Sequence, residues 1–319
     1  PVNWTREPHA TISLRLDFDG SITLLTGAPE IGQGSSTVLT QCVAEVLGID
    51  TGRIRVIASD SAITPKDNGA YSSRITFIVG NAAIRAAENL KQILVTAAAR
   101  KLEVRPEDVE CLGEVYRAAS QDEGLDFQQV VMAALENGGT ITVKGNFNTI
   151  PDSWGGDKYR GAAIGGSMAF SYAAQVVEVE IDPDTGKTEM IKYSVVDDVG
   201  VVINPLLLKG QIMGGIAQGV GQALMEDFNY DADGQVLSGS FMDYCMPRAD
   251  DLPSFQTGTR ETLCPHNPLG AKGCGEAGTI GSTPAVVNAV VDALRPMGVT
   301  DLEMPLSPQR VWAAMQQAK

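Results

Sequence analysis

The chain has 319 residues, 44% of them hydrophobic and 20% charged, which is enough for a sizeable core in one large domain or two smaller ones. Its 39 acidic against 24 basic side chains leave a formal charge of −15, which argues against nucleic acid or an anionic membrane surface as a partner, because lysine and arginine supply most of that affinity. No apolar run approaches the roughly 18–20 residues needed to span a bilayer, and no secretory signal pattern opens the sequence. The five cysteines, Cys42, Cys111, Cys245, Cys264 and Cys274, are scattered and contain no C-x-x-C. They read as reduced, mostly buried thiols of a cytoplasmic protein. With only two histidines, His9 and His266, any metal is expected to arrive on a cofactor.

In chain order, ATISLRLDF and SITLLTG alternate on either side of a DG turn and predict a β-hairpin. APEIGQGSS leads into TVLTQCVAEVLGI, an amphipathic helix that Ser35 or Ser36 would cap. The strand RIRVIAS follows, then the polar loop DSAITPKDNGAYSSR and a long, alanine-rich helix from about Thr76 to Lys101. Residues from about Val104 to Asn148 suggest an adaptor containing a short helix, LDFQQVVMAALE, and a strand, TITVKGNF.

The second half restarts the theme. AAQVVEVEIDPDTGKTEMIKYSVVDD predicts a hairpin turning at Asp182–Gly186, and VGVVINPLLLKGQ a loop before the glycine-rich helix IMGGIAQGVGQALMEDF. Each half thus carries a hairpin, a loop with a Gly-Gln pair (Gly32-Gln33 and Gly210-Gln211) and a helix. The predicted class is α+β, with two related α/β subdomains, 1–150 and 151–319.

The chemistry-bearing stretch is GAKGCGEAGTIGSTPAVVNAV, which sets Glu276 among Gly270, Gly273, Gly275, Gly278 and Gly281. Pro284 is expected in the first turn of a helix over Ala285–Leu294. A carboxylate on a glycine loop beside a helix start is a candidate general base, and equally fits an ordinary exposed loop residue. Gln33 and Gln211 offer amide donors and acceptors, and Ser72, Ser73 and Thr76 offer hydroxyls before a helix. The same side chains also suit capping and turns. No P-loop or dinucleotide fingerprint is present, and the glycines of AQGVGQ suit helix packing.

Four ordered blocks, TGAPEIGQGSSTVLTQ, DNGAYSSRITFIVGNA, DDVGVVINPLLLKGQIMGGIAQG and AKGCGEAGTIGSTPAVVNA, resemble the C-terminal molybdopterin-binding part of the xanthine oxidase family of molybdenum hydroxylases. The resemblance implies a molybdopterin cofactor in its cytosine dinucleotide form, with molybdenum on the pterin dithiolene, a terminal sulfido or selenido ligand, and no protein side chain on the metal. It implies Glu276 as the active-site base. It further implies cofactor contacts from Gly32, Gln33 and Gly34, from Ala70, Tyr71, Ser72, Ser73, Arg74 and Thr76, and from Gln211, Lys272, Gly273, Cys274 and Gly275. Tyr71 and the segment around His266 are candidates for the substrate pocket.

Single-chain relatives carry several hundred more residues before the equivalent of Thr11. The expectation is therefore one subunit of a split enzyme, like the medium molybdopterin subunit of nicotinate dehydrogenase, with proteolysis of a longer precursor as the alternative. Its partners would be a larger molybdopterin subunit, a 2Fe-2S subunit and an FAD subunit. The expected substrate is a small electron-poor aromatic such as nicotinate. TPKDNGAYSSRITF is also similar to 4-hydroxybenzoyl-CoA reductase, which makes aromatic acyl-CoA reduction one alternative; purine oxidation and a non-catalytic scaffold are the others.

Overall fold

Along β1 (His9–Leu16) the alternating residues Ala10, Ile12, Leu14 and Leu16 are all fully buried, which fixes one face of the strand on the core. The computed structural model in which this is seen describes residues 9–121, 123–136, 139–148 and 169–317. β1 pairs antiparallel with β2 (Ile22–Thr26), Leu14 lying opposite Leu24, so the first predicted hairpin is present. α1 (Ser35–Leu47) buries Leu39, Val43 and Leu47 at helical spacing and leads to β3 (Ile54–Ala58), which runs parallel to β2. One π-helical turn, Ile75–Val79, then opens α2 (Gly80–Leu102).

A small antiparallel sheet, β4 (Val109–Leu112), β5 (Val115–Ala118) and β6 (Gly124–Asp126), precedes α3 (Phe127–Leu135) and β7 (Ile141–Asn148). The sequence suggested an adaptor here. Instead β7 pairs antiparallel with β1 along its whole length and completes a sheet of order β3-β2-β1-β7. Gly145 on β7 allows α2 to lie directly on the strand, because a Cβ there would collide with the backbone of Ala82 and Ala86. Ala82, Ala83, Ala86 and Ala87 are fully buried, so the alanine-rich helix serves close packing as expected.

The second predicted hairpin is formed by β8 (Tyr172–Ile181) and β9 (Thr188–Asp198). It is followed by α4 (Pro205–Leu224), by β10 (Phe255–Thr259) parallel to β9, and by α5 (Ala277–Leu294) and α6 (Pro308–Gln317). Their shared core includes Tyr193, Val195, Ile212, Ile216, Val290 and Val311. Hairpin, helix, parallel strand and helix therefore recur as β1-β2-α1-β3-α2 and β8-β9-α4-β10-α5, in line with the α+β class and the two related subdomains. The chain divides into two compact units, one running to Phe170 and taking in Leu263–Gly273, the other holding Ser171–Thr262 and the residues from Cys274 onward. The boundary expected at 150/151 lies outside the described residues.

Two helix starts in the second unit differ from expectation. Asn204 caps α4, its Oδ1 accepting from Leu207 N at 3.0 Å, and Pro205 fills the first turn. Gly210 and Gln211 therefore lie within the helix and not in the loop before it. α5 starts at Ala277, so Pro284 is inside the helix, not in its first turn. The small residues explain the longer helix. A Cβ on Gly278 would collide with the Ile212 carbonyl, and one on Gly219 with the Ser282 hydroxyl, so α4 and α5 meet backbone to backbone. The AQGVGQ glycine thus serves packing. Among the described residues no helix is long and apolar enough to cross a membrane.

One buried group works against stability. Asp197 on β9 is fully buried, and neither carboxylate oxygen has a hydrogen-bond partner. Burial pushes its carboxyl up to about 6. The folded chain thus holds this proton more tightly than the unfolded chain, so Asp197 erodes stability as pH rises from about 4 to about 6, by roughly 3 kcal/mol in all. Asp197→Asn is expected to raise the melting temperature at about pH 8 and to leave it unchanged at about pH 4. Thermal unfolding at both values checks this, and equal shifts at the two would refute it. Gly145→Ala is expected to cost about 1–3 kcal/mol through overpacking, read as a lower denaturation midpoint.

Candidate functional site

Glycines bring three loops of the first unit together. A Cβ on Gly27 would collide with the Pro65 carbonyl and come within 2.8 Å of Asp67 N, so the loop before α1 lies against the 65–74 loop. A Cβ on Gly273 would collide with the Ser73 carbonyl, so the 263–273 loop lies against the same segment.

In the first loop Gly32 (φ 96°) and Gly34 (φ 79°) are both left-handed. Between them, half-buried Gln33 donates from Nε2 to Pro29 O at 2.8 Å and to Ser35 Oγ at 3.1 Å, while its Oε1 accepts from Ile31 N at 2.6 Å. Neither Ser35 nor Ser36 caps α1, because both already belong to the helix and Gly34 is its N-cap. The Glu30 carboxylate takes that role from upstream, accepting from Gly32 N (3.0 Å), Gly34 N (2.9 Å), Ser36 N (2.9 Å) and Ser35 Oγ (3.2 Å). Burial alone would raise its carboxyl, but the N–H donors of Ser36, Gly34 and Gly32 outweigh it and hold Glu30 below the usual carboxylate range. Sequence reasoning passed over Glu30, although a carboxylate just ahead of a helix start is the signal that would have found it.

The second loop is braced by Arg74, which is 2% exposed and pairs with Asp67 at 2.6 Å. Its guanidinium also donates to Gly69 O at 3.0 Å and His9 O at 2.9 Å. Arg74 thus holds the loop in shape from inside. Ser72 (φ 52°) and Ser73 (φ 54°) are consecutive left-handed residues, a conformation that costs about 1–3 kcal/mol each and persists only where the surroundings enforce it. Ala70 and Tyr71 are half-buried beside them, and half-buried Thr76 sits in the π-helical turn. In the third loop Lys272 and Gly273 are buried. Asn267 shapes it, donating to Ala271 O at 3.0 Å and accepting from Asn81 Nδ2 at 3.3 Å. Asp67, Asn81 and Asn267 were invisible as site-builders in the sequence, since their partners are set by tertiary contact.

The second unit holds Gln211, Cys274, Gly275 and Glu276. Gln211 is half-buried on α4, and Gly275 and Glu276 are exposed. Glu276 is the N-cap residue of α5, but its side chain does not cap the helix. Because Gly278 lies against Ile212, Gln211 and Glu276 fall on neighbouring turns of α4 and α5. Burial, with the negative Asp197 nearby, pushes the half-buried Cys274 thiol up to about 11, so it stays protonated at neutral pH.

These residues suit a large polar cofactor. Beside Gly32 and Gly69, both left-handed, no heavy atom lies within 4 Å of where a Cβ would stand, so the backbone there is open to close approach. Amides, hydroxyls and backbone N–H groups make up the donor set. Among the described residues no group of three or more His, Cys, Asp or Glu is placed to hold a metal ion.

Comparison with known proteins agrees with this chemistry. The chain is 36% identical over 306 residues to the large subunit of nicotine 6-hydroxylase from Paenarthrobacter nicotinovorans, covering 95% of this chain and 36% of that one. It superposes on the structure of Cu,Mo-CO dehydrogenase with a TM-score of 0.85 at 28% identity, over 97% of this chain and 38% of the other. It also superposes on quinoline 2-oxidoreductase from Pseudomonas putida 86, with a TM-score of 0.82 at 30% identity, again over 97% of this chain and 38% of the other. The chain therefore spans little more than a third of the length of these relatives. Residues 2–253 match the model of the molybdopterin cofactor-binding domain, and the chain belongs to that domain family, within the xanthine oxidase family of molybdenum enzymes.

Proposed function

We propose that this chain is the molybdopterin-binding part of a molybdenum hydroxylase that adds a water-derived oxygen to an electron-poor N-heteroaromatic ring, with Glu276 as the base. The placement of Glu276 carries the proposal. It is an exposed carboxylate at the first turn of α5, on a turn whose neighbours Ala277 and Gly278 are buried. Such a group is fixed in position yet accessible to a substrate, which is what proton transfer in a transition state requires. The names of nicotine 6-hydroxylase and quinoline 2-oxidoreductase concern nitrogen-containing rings, which supports that substrate class, with nicotinate as the first compound to try.

The cofactor, in its cytosine dinucleotide form with a terminal sulfido or selenido ligand, supplies when bound the electrophilic metal and the capacity to accept the substrate's electrons. The chain's own residues bind and orient. In the first unit Gly32 and Gly34, whose N–H groups are held by Glu30, shape the loop, while the Gln33 Oε1, which can accept a second hydrogen bond, the hydroxyls of the strained Ser72–Ser73 pair and buried Lys272 face a polar ring system or its phosphate. Ala70, Tyr71, Thr76 and Gly273 shape the backbone around it, and Arg74 keeps that loop rigid. In the second unit Gln211 offers its amide on α4, Cys274 and Gly275 form the turn, and Glu276 accepts the proton released as the new carbon–oxygen bond forms. Electrons leave through a 2Fe-2S subunit and an FAD subunit, and a larger molybdopterin subunit completes the pocket, all in the cytoplasm.

In the assembled enzyme Glu276→Gln is expected to keep its molybdenum content, measured by elemental analysis, and to lower kcat by about 10²- to 10⁴-fold. Turnover at the wild-type rate with full molybdenum would sink the assignment. An assembled and matured wild-type complex without molybdenum would overturn the cofactor itself.

A further inference from the structure

The turn that carries Glu276 is gripped from two sides. On one flank Gly278 packs against α4, its Cα 3.0 Å from where a Cβ on Gly215 would stand. On the other flank lies Gln175 of β8, a half-buried side chain that none of the motif blocks contains. Its Nε2 donates to Gly278 O at 3.1 Å and to Ala277 O at 3.4 Å, the carbonyls one and two residues past Glu276. Its Oε1 accepts from the hydroxyl of Tyr193. Tyr193 is fully buried, edge-on to Phe255 with ring centroids 5.5 Å apart. Burial raises that hydroxyl well above the usual tyrosine value, so it remains a donor. A tyrosine that donates obliges the amide to present its oxygen to the ring and its NH₂ to the helix.

Two further features show that the contact is built in. A Cβ on Gly281 would stand 2.8 Å from Gln175 Nε2 and 2.9 Å from its Cδ, so glycine at 281 makes room for the amide on the helix surface. Pro284 lies inside α5 and provides no N–H for the carbonyl four residues before it, that of Ile280. The turns ahead of Pro284 are thus less well tied to the rest of the helix, and outside donors matter more to them.

We infer that Gln175 is a positioning residue for Glu276: its amide, oriented by Tyr193, pins the first turn of α5 and thereby holds the carboxylate in place. The inference rests on Glu276 being the base. Gln175 touches neither substrate nor cofactor in this role. It acts through backbone carbonyls, and its loss affects the chemical step more than substrate binding.

The test uses Gln175→Glu, which keeps the size and the acceptor for Tyr193 but removes the donor, Gln175→Ala, which removes both, and Gln175→His, whose neutral ring can accept from the tyrosine and donate from its other nitrogen. Hydrogen exchange on the full chain is expected to show the amides of residues 277–281 exchanging about tenfold faster in the Glu and Ala variants, with the rest of unit two unchanged and partial recovery in the His variant. In the assembled enzyme kcat is expected to fall about tenfold with KM and molybdenum content unchanged, and the acidic limb of the kcat–pH profile to move. Unchanged exchange in both the Glu and Ala variants overturns the inference. So does faster exchange with an unaltered kcat and pH profile in an enzyme that Glu276→Gln silences. Should Glu276→Gln itself turn over normally, the base assignment fails and the positioning role with it, while the exchange rates still report separately whether Gln175 pins the turn.

Discussion

Everything that places the site residues depends on backbone lying against backbone where a side chain would not fit. Gly273 on Ser73, Gly27 on Pro65 and Gly278 on Ile212 are contacts of this kind, and Gly145 on α2 is their counterpart in the core. Attraction across any one of them is small, a fraction of a kcal/mol per atom pair. Repulsion is steep, so such contacts locate loops to within a few tenths of an ångström without needing strong bonds. That precision suits loops whose own conformations, such as the left-handed Ser72 and Ser73, would relax if released.

Charge is handled in three distinct ways. Arg74 and Asp67 are buried together, and the guanidinium's remaining donors are met by carbonyls of Gly69 and His9. Removing either member would strand the other, which is why such pairs fix a conformation even when they add little net stability. Glu30 is met by N–H groups and a hydroxyl, with no cation, and is held ionised by them. Asp197 has no hydrogen-bond partner, and burial alone raises its carboxyl to about 6. The first two arrangements shape the loops of the first unit. The third lies in the second unit near Cys274, in the turn that leads to Glu276.

Local patterns were legible in the sequence and long-range ones were not. Both hairpins followed from alternation and turn residues, and the repeated layout could be seen because hairpins and helices announce themselves locally. The pairing of β7 with β1 could not, since a strand's partner is not written in its own residues. α5 was expected to begin near Pro284 because proline is a strong local marker, whereas the contact with α4 that extends the helix upstream is tertiary. Glu276 stood out as a lone carboxylate in a glycine run. Glu30, Asp67 and Gln175 did not, because a residue that works through another residue's backbone has no composition of its own to betray it. Four ordered motifs were enough to identify the family.

The chain visits the first unit twice, running to Phe170, leaving for Ser171–Thr262, and returning for Leu263–Gly273 before Cys274 resumes the second unit. Asn267, which anchors the returning segment to Asn81, and Gly273, which packs on Ser73, are therefore about 190 residues later in sequence than their partners. During synthesis at roughly 5–20 residues per second, the first unit must wait on the order of ten seconds or more after Asn81 has been made before its last piece exists. Until then the strained loop at Ser72–Ser73 lacks the neighbour that fits against it. Completion of the first unit thereby waits until the second has been made as far as Thr262, with α5 and α6 still to come, and a chain released early would carry a core without its finished loops.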